Sequence, residues 1–136
     1  MDLKKQIFRL RNFIPLIRIE SNRVGIDPYL LLSLAVLEDI NRPSWFRALE
    51  KLIFKTGFYK PKTFGLMQVS SNKPVSDKES IRLAALLIKN ILKETKNINK
   101  VGIKYNGSIE YGDCLLFIYN NLKRSLFKYG KNIYTK

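Results

Sequence analysis

"DPYLLLSLAVLEDI", residues 27 to 40, decides how the rest of the chain is read. Asp27 has a side-chain oxygen suited to capping a helix, and Pro28 fits the first helical position, where a missing N–H costs nothing. The run that follows is apolar on nearly every side, so this helix is predicted to be the buried centre of the fold. Its last turn nevertheless carries two carboxylates, Glu38 and Asp39. Asn41, Arg42 and Pro43 stop it, and Pro43 opens a further predicted helix, "PSWFRALEKLIF".

Around this centre the composition is that of one ordinary globular domain. A chain of 136 residues buries roughly two-thirds of the surface its unfolded form exposes. With 46% hydrophobic and 26% charged residues it is too apolar to be disordered. Residues 1–136 are therefore expected to form a single domain. Within it, 1–24 form an amphipathic basic helix packed on the rest: Leu3, Ile7, Leu10, Ile14 and Ile17 recur at helical spacing, and Pro15 bends or interrupts the helix. Its basic face is expected to be solvated, with a membrane-surface helix as the alternative.

Farther along, "KTGFYKPKTFG" reads as a loop. Ser76-x-x-Glu79 is a capping box ahead of a long amphipathic helix. "NKVGIKYNGS" reads as a short connection, and "IEYGDCLLFIYNNLKRSLF" as a final helix with apolar positions Leu115, Ile118, Leu122 and Leu126. No internal repeat or low-complexity linker interrupts the pattern. The expected fold class is mainly α.

Charge narrows the partners without choosing among them. The 25 Lys+Arg against 11 Asp+Glu give a formal +14, a field that favours nucleic acid, an anionic membrane surface or the anionic bacterial cell wall. The one cysteine, Cys114, excludes a disulfide framework or a zinc cluster. With no histidine in the chain, metal catalysis by the usual His and Cys ligands is also out. Lacking a histidine base, Cys114 reads as a small core residue rather than a nucleophile. Arg9, Arg11 and Arg18 break the amino end, which lacks the continuous apolar region of a signal peptide. The longest apolar block, Tyr29 to Leu37, falls far short of the ~20 residues a membrane span needs. A soluble chain without a membrane span is expected, any export using another route.

Glu38 and Asp39 project about 100° apart on a helix, so only one of them faces a shared site. A carboxylic acid held against apolar side chains has its charged form disfavoured, as a general acid working near neutral pH requires. Glu38, after Leu34, Val36 and Leu37, is the candidate, and Asp39 is expected to turn toward Arg42 or Asn41 as a structural pair. An ordinary helix-terminal ion pair is the competing reading of Glu38, although the macrodipole opposes negative charge there. A second uncharged stretch, "TFGLMQV" at 63 to 69, reads either as buried core or as the wall of a site.

Glu38 at the end of an apolar helix, "GLMQV" at 65 to 69, and "YNGS" at 105 to 108 followed by Tyr111 resemble, in this order, the lytic transglycosylase and goose-type lysozyme group of peptidoglycan-cleaving enzymes. The resemblance covers roughly residues 27 to 120 and implies a helical lysozyme-like fold. It implies cleavage of the β-1,4 bond between N-acetylmuramic acid and N-acetylglucosamine, with no cofactor. Carried over, Glu38 is the acid that protonates the glycosidic oxygen. Gly65, Leu66, Met67 and Gln68 line the sugar cleft. Tyr105 and Asn106 position the glutamate and the N-acetyl sugar, and Tyr111 completes the substrate-binding set.

The departures shape the expected reaction. Asp39 stands where many transglycosylases have serine, and the interval from Glu38 to Gly65 is longer by about one helix, containing Trp45, Phe46 and Arg47, whose aromatics are expected in the core. Position 70 is serine where goose-type lysozymes have an aspartate, and Glu50 is the only acid strictly between Asp39 and the motif. A hydrolase ordinarily needs a second carboxylate. The single-glutamate route, ending in a 1,6-anhydromuramic product, is therefore favoured over a hydrolytic muramidase. The positive charge suits adsorption to peptidoglycan strands and wall phosphates, weakened by salt. Action in the periplasm or cell wall is implied, with delivery by phage lysis as an endolysin, by a secretion apparatus, or as an antibacterial effector. Two other readings stay open: a glycan-binding protein that does not cut, and a basic helical nucleic-acid binder carrying Tyr59, Tyr111, Tyr119 and Tyr129, for which no recognition motif stands out.

Overall fold

The computed structural model of the chain describes residues 3–41, 63–64, 69–70 and 76–128. These are mainly helical: α1 (Leu3–Arg9), α2 (Ile14–Val24), α3 (Pro28–Asn41), α4 (Asp77–Leu92), α5 (Ile98–Asn106) and α6 (Ile109–Lys128), with two short strands, β1 (Thr63–Phe64) and β2 (Val69–Ser70).

Helix α3 is the centre that its sequence predicts. The Asp27 carboxylate accepts a hydrogen bond from the Tyr29 amide at 2.9 Å, and every residue from Leu30 to Asp39 is buried. Helices α1, α2 and α6 pack around it. Helix α4 turns Ile81, Ala84, Ala85, Ile88 and Ile91 inward, and α6 turns in Tyr111, Leu115, Ile118 and Leu122. The capping box forms on its serine side, Ser76 Oγ accepting from the Glu79 amide at 3.1 Å.

Four expectations change. The amino-terminal helix is two helices, because the chain turns through residues 10–13 and restarts with Pro15 in the first turn of α2, where a proline leaves no intrahelical bond unmade. Residues 99–108, read as a connection, belong largely to α5. The Asn97 side chain caps that helix by accepting from the amides of Asn99 and Lys100, and Gly107 closes it at φ 93°. Cys114 is exposed rather than in the core, since it sits one position before Leu115 and about 100° around the helix from the buried stripe. Thr63 and Phe64, read as loop, pair antiparallel with Ser70 and Val69, bracketing residues 65–68. The predicted helix 43–54 lies outside the described residues. No described helix is long and apolar enough to cross a membrane.

Candidate active site

The carboxyl end of α3 delivers Glu38 to the start of α6, a buried position at 6% exposure. There the Tyr111 hydroxyl donates to Glu38 Oε1 at 2.6 Å. Tyr111 reaches it because α6 begins immediately after the tight turn at Gly107, with Ser108 Oγ accepting from the Tyr111 amide at 3.3 Å. Tyr105, the next-to-last residue of α5, stacks on Tyr111 with ring centroids 6.2 Å apart and planes at 23°. Two phenols from two helices thus converge beside one carboxylate.

The close crossing of α5 and α6 holds these tyrosines in register. A Cβ on Gly112 would lie 2.2 Å from the Asn99 carbonyl oxygen, and one on Gly102 would lie 2.7 Å from the Gly112 Cα. Only glycine lets the two backbones approach this far. Gly102 is one turn before Tyr105, and Gly112 directly follows Tyr111, so the helix separation sets the ring stacking.

Burial foremost, and then the Glu38 charge, raise the pKa of both Tyr105 and Tyr111 far above the ordinary tyrosine value. Both remain protonated at any physiological pH, and Tyr111 remains a hydrogen-bond donor to the carboxylate throughout. Asp39, on the neighbouring helical position, faces elsewhere: its Oδ2 lies 3.4 Å from an Arg9 guanidinium nitrogen of α1. The two acids therefore diverge as helical geometry requires, although Asp39 meets an arginine remote in sequence. Arg42 and the Asn41 side chain, the partners expected for it, lie outside the described residues.

Of the residues that the sequence assigns to the site, the structure brings together Glu38, Tyr105 and Tyr111. Asn106 is the last residue of α5 and is exposed. Gly65, Leu66, Met67 and Gln68 lie outside the described residues, as do Trp45, Phe46, Arg47 and Glu50. Among the described residues, no group of three or more His, Cys, Asp or Glu side chains is placed to hold a metal ion.

Sequence reasoning missed the direct bond between Tyr111 and Glu38, and it missed the glycine crossing. Glycines inside otherwise regular helices were the available signal for the crossing, because each costs about 1 kcal/mol relative to alanine and so marks close backbone approach. It also missed Glu20, a buried carboxylate besides Glu38 and Asp39, at 1% exposure and 3.6 Å from Arg23. The chain matches no family model, no curated protein and no solved structure.

Proposed function

We propose that the protein is a peptidoglycan lytic transglycosylase of lysozyme-like fold, with Glu38 as its catalytic acid and base. The observation that carries this reading is the buried Glu38 carboxyl, held by the Tyr111 hydroxyl at 2.6 Å. It sits in the same chain order of Glu, GLMQ and Tyr-Asn motifs on which the resemblance rests. A reacting carboxyl must keep one orientation, and a phenol on Oε1 backed by a stacked ring supplies it.

In the forward step Glu38 transfers its proton to the glycosidic oxygen as the bond to muramic C1 breaks, and the N-acetyl carbonyl oxygen closes on C1. The Glu38 carboxylate then removes the proton from the C6 hydroxyl. O6 attacks C1 and displaces the acetamido oxygen, giving a 1,6-anhydro ring and returning Glu38 to its acid form. No water is added. Tyr111 remains a donor in both half-steps, favouring the carboxylate when Glu38 acts as base.

Digestion of purified peptidoglycan, followed by mass spectrometry, tests the assignment with wild type beside Glu38→Gln. Anhydromuropeptides from wild type alone are the expected result. Reducing-end products would reassign the chain as a hydrolytic muramidase and direct attention to Glu50 as the second acid. Absence of soluble fragments, with both proteins pelleting with the wall, would leave a glycan-binding protein.

A further inference from the structure

Residues 3–24 differ from the rest of the described surface in the sign of their charge. Lys4, Lys5, Arg9, Arg11, Arg18 and Arg23 are exposed, whereas the one acid of this segment, Glu20, is buried. Across residues 76–128, exposed acids such as Glu79, Glu94, Glu110 and Asp113 alternate with the cations.

Two large apolar side chains stand in water among the cations of this segment: Phe8 is 64% exposed and Ile19 52%. Lys4 and Phe8 are one turn apart on α1, and the Arg11 guanidinium lies over the Phe8 ring at 4.0 Å. On α2, Pro15, Arg18, Ile19, Asn22 and Arg23 recur at the spacing of one helical face, and all five are exposed. The opposite side is anchored. Leu10 and Ile17 are buried, Leu3, Ile7 and Leu16 pack against the core, and Arg9 ties α1 to Asp39 of α3.

We propose that the outer face of α1 and α2 docks on an anionic lipid surface, with Phe8 and Ile19 entering the boundary between headgroups and acyl chains and the surrounding cations on the lipid phosphates. A helix face combining exposed apolar side chains with cations alone is the composition of an interfacial helix. A nucleic acid or a wall polymer answers the cations equally well, and a base or a sugar ring covers Phe8. Neither offers Ile19, which has no ring face to stack, the apolar environment that an acyl chain gives. The docking face is separate from Glu38 and does not depend on what Glu38 does.

The test is co-sedimentation of the full chain with vesicles of phosphatidylcholine alone and of equal parts phosphatidylcholine and phosphatidylglycerol. Wild type is expected to pellet with the anionic vesicles and to stay in solution with the neutral ones. Phe8→Ser combined with Ile19→Ser keeps every charge and is expected to weaken vesicle binding roughly tenfold or more. Its melting temperature and its binding to purified wall fragments are expected to be unchanged. Leu86→Ser combined with Leu87→Ser removes two exposed leucines of α4, 45% and 43% exposed, and is expected to bind vesicles as wild type does. Equal vesicle binding by wild type and the Phe8/Ile19 variant would overturn the proposal, leaving simple adsorption of a cationic chain. Equal loss in the Leu86/Leu87 variant would overturn it too. Glu38→Gln is expected to bind vesicles normally, so failure of the glycan-cleaving assignment would leave this result standing.

Discussion

Helix α3 meets an acid at each end, and each acid accepts a hydrogen bond from a tyrosine of α6: Asp27 from Tyr119 and Glu38 from Tyr111. The two pairs share donor and acceptor chemistry and differ in everything around it. Asp27 sits at the helix amino end, where the macrodipole favours negative charge, and its carboxylate also accepts from the Tyr29 amide. Lys123 lies 3.4 Å away, with its ammonium 5.3 Å from the ring centres of both Tyr29 and Tyr119. That carboxylate is half-open to water, at 31% side-chain exposure. Each neighbour stabilises its charge, so the amino end acts as a latch between two helices.

Glu38 sits at the carboxyl end, where the dipole opposes its charge, and it is buried beside two phenols whose own ionisation it suppresses. A carboxylate placed where the fold does not favour it is the arrangement expected of a chemical group rather than a structural one. The contrast teaches that an identical bond, acid to tyrosine, sits in surroundings that stabilise the carboxylate's charge or oppose it, according to dipole, solvent and counter-charge.

Opposite signs of effect on activity and stability break or sharpen this comparison. Glu38→Gln is expected to lower anhydromuropeptide release by about 10²–10⁴-fold or more. It is expected to leave the melting temperature unchanged or raise it, because a buried charge at an unfavourable helix end is removed. A large fall in melting temperature would make Glu38 a fastener like Asp27.

Gly112→Ala is the largest expected loss of stability, about 3 kcal/mol in a denaturant titration, since its Cβ meets a backbone carbonyl oxygen that has no rotamer to yield. It is expected to separate Tyr111 from Glu38 and to lose activity as well. An active, stable variant would remove the glycine crossing from the account of the site. Asp27→Ala at the other end is expected to cost about 2 kcal/mol, combining a lost cap with a lost bond to Tyr119, while product release per folded molecule stays at the wild-type rate.

The smallest effect is on pH dependence. Tyr111 holds its proton more tightly in the folded than in the unfolded chain, so this contribution to stability is complete below the ordinary tyrosine value of 10.0 and is lost as pH rises above it. Thermal melts in a series from about pH 9 to 11 are expected to show wild type losing more stability than Tyr111→Phe. Parallel curves would mean that Tyr111 ionises as easily folded as unfolded.

Much of this was legible in the chain, for physical reasons that differ by element. Asp27-Pro28, the serine half of the Ser76-x-x-Glu79 box and the stripe from Leu115 to Leu122 are short-range signals, a cap or a period, and each forms as read. The Asn97 cap of α5 is an equally local signal, hidden because "NKVGIKYNGS" after it holds two glycines and few apolar residues. Gly102 is there for the crossing and Gly107 for the turn. Exposure of Cys114 follows from helical phase, which an unbroken apolar run conceals.

By itself the sequence determined α3, α4 and α6, the burial of α3 and the presence of Glu38 at its apolar end, since capping and periodicity act within a few residues. Only the tertiary structure decided which groups meet: Tyr111 with Glu38 across 73 positions, Tyr119 with Asp27 across 92, and Arg9 with Asp39. Those meetings depend on the distance and angle at which α3 packs against α6 and α1, which no pattern within one of those helices encodes; the two helix glycines set a different crossing, that of α5 with α6, where Tyr105 stacks on Tyr111.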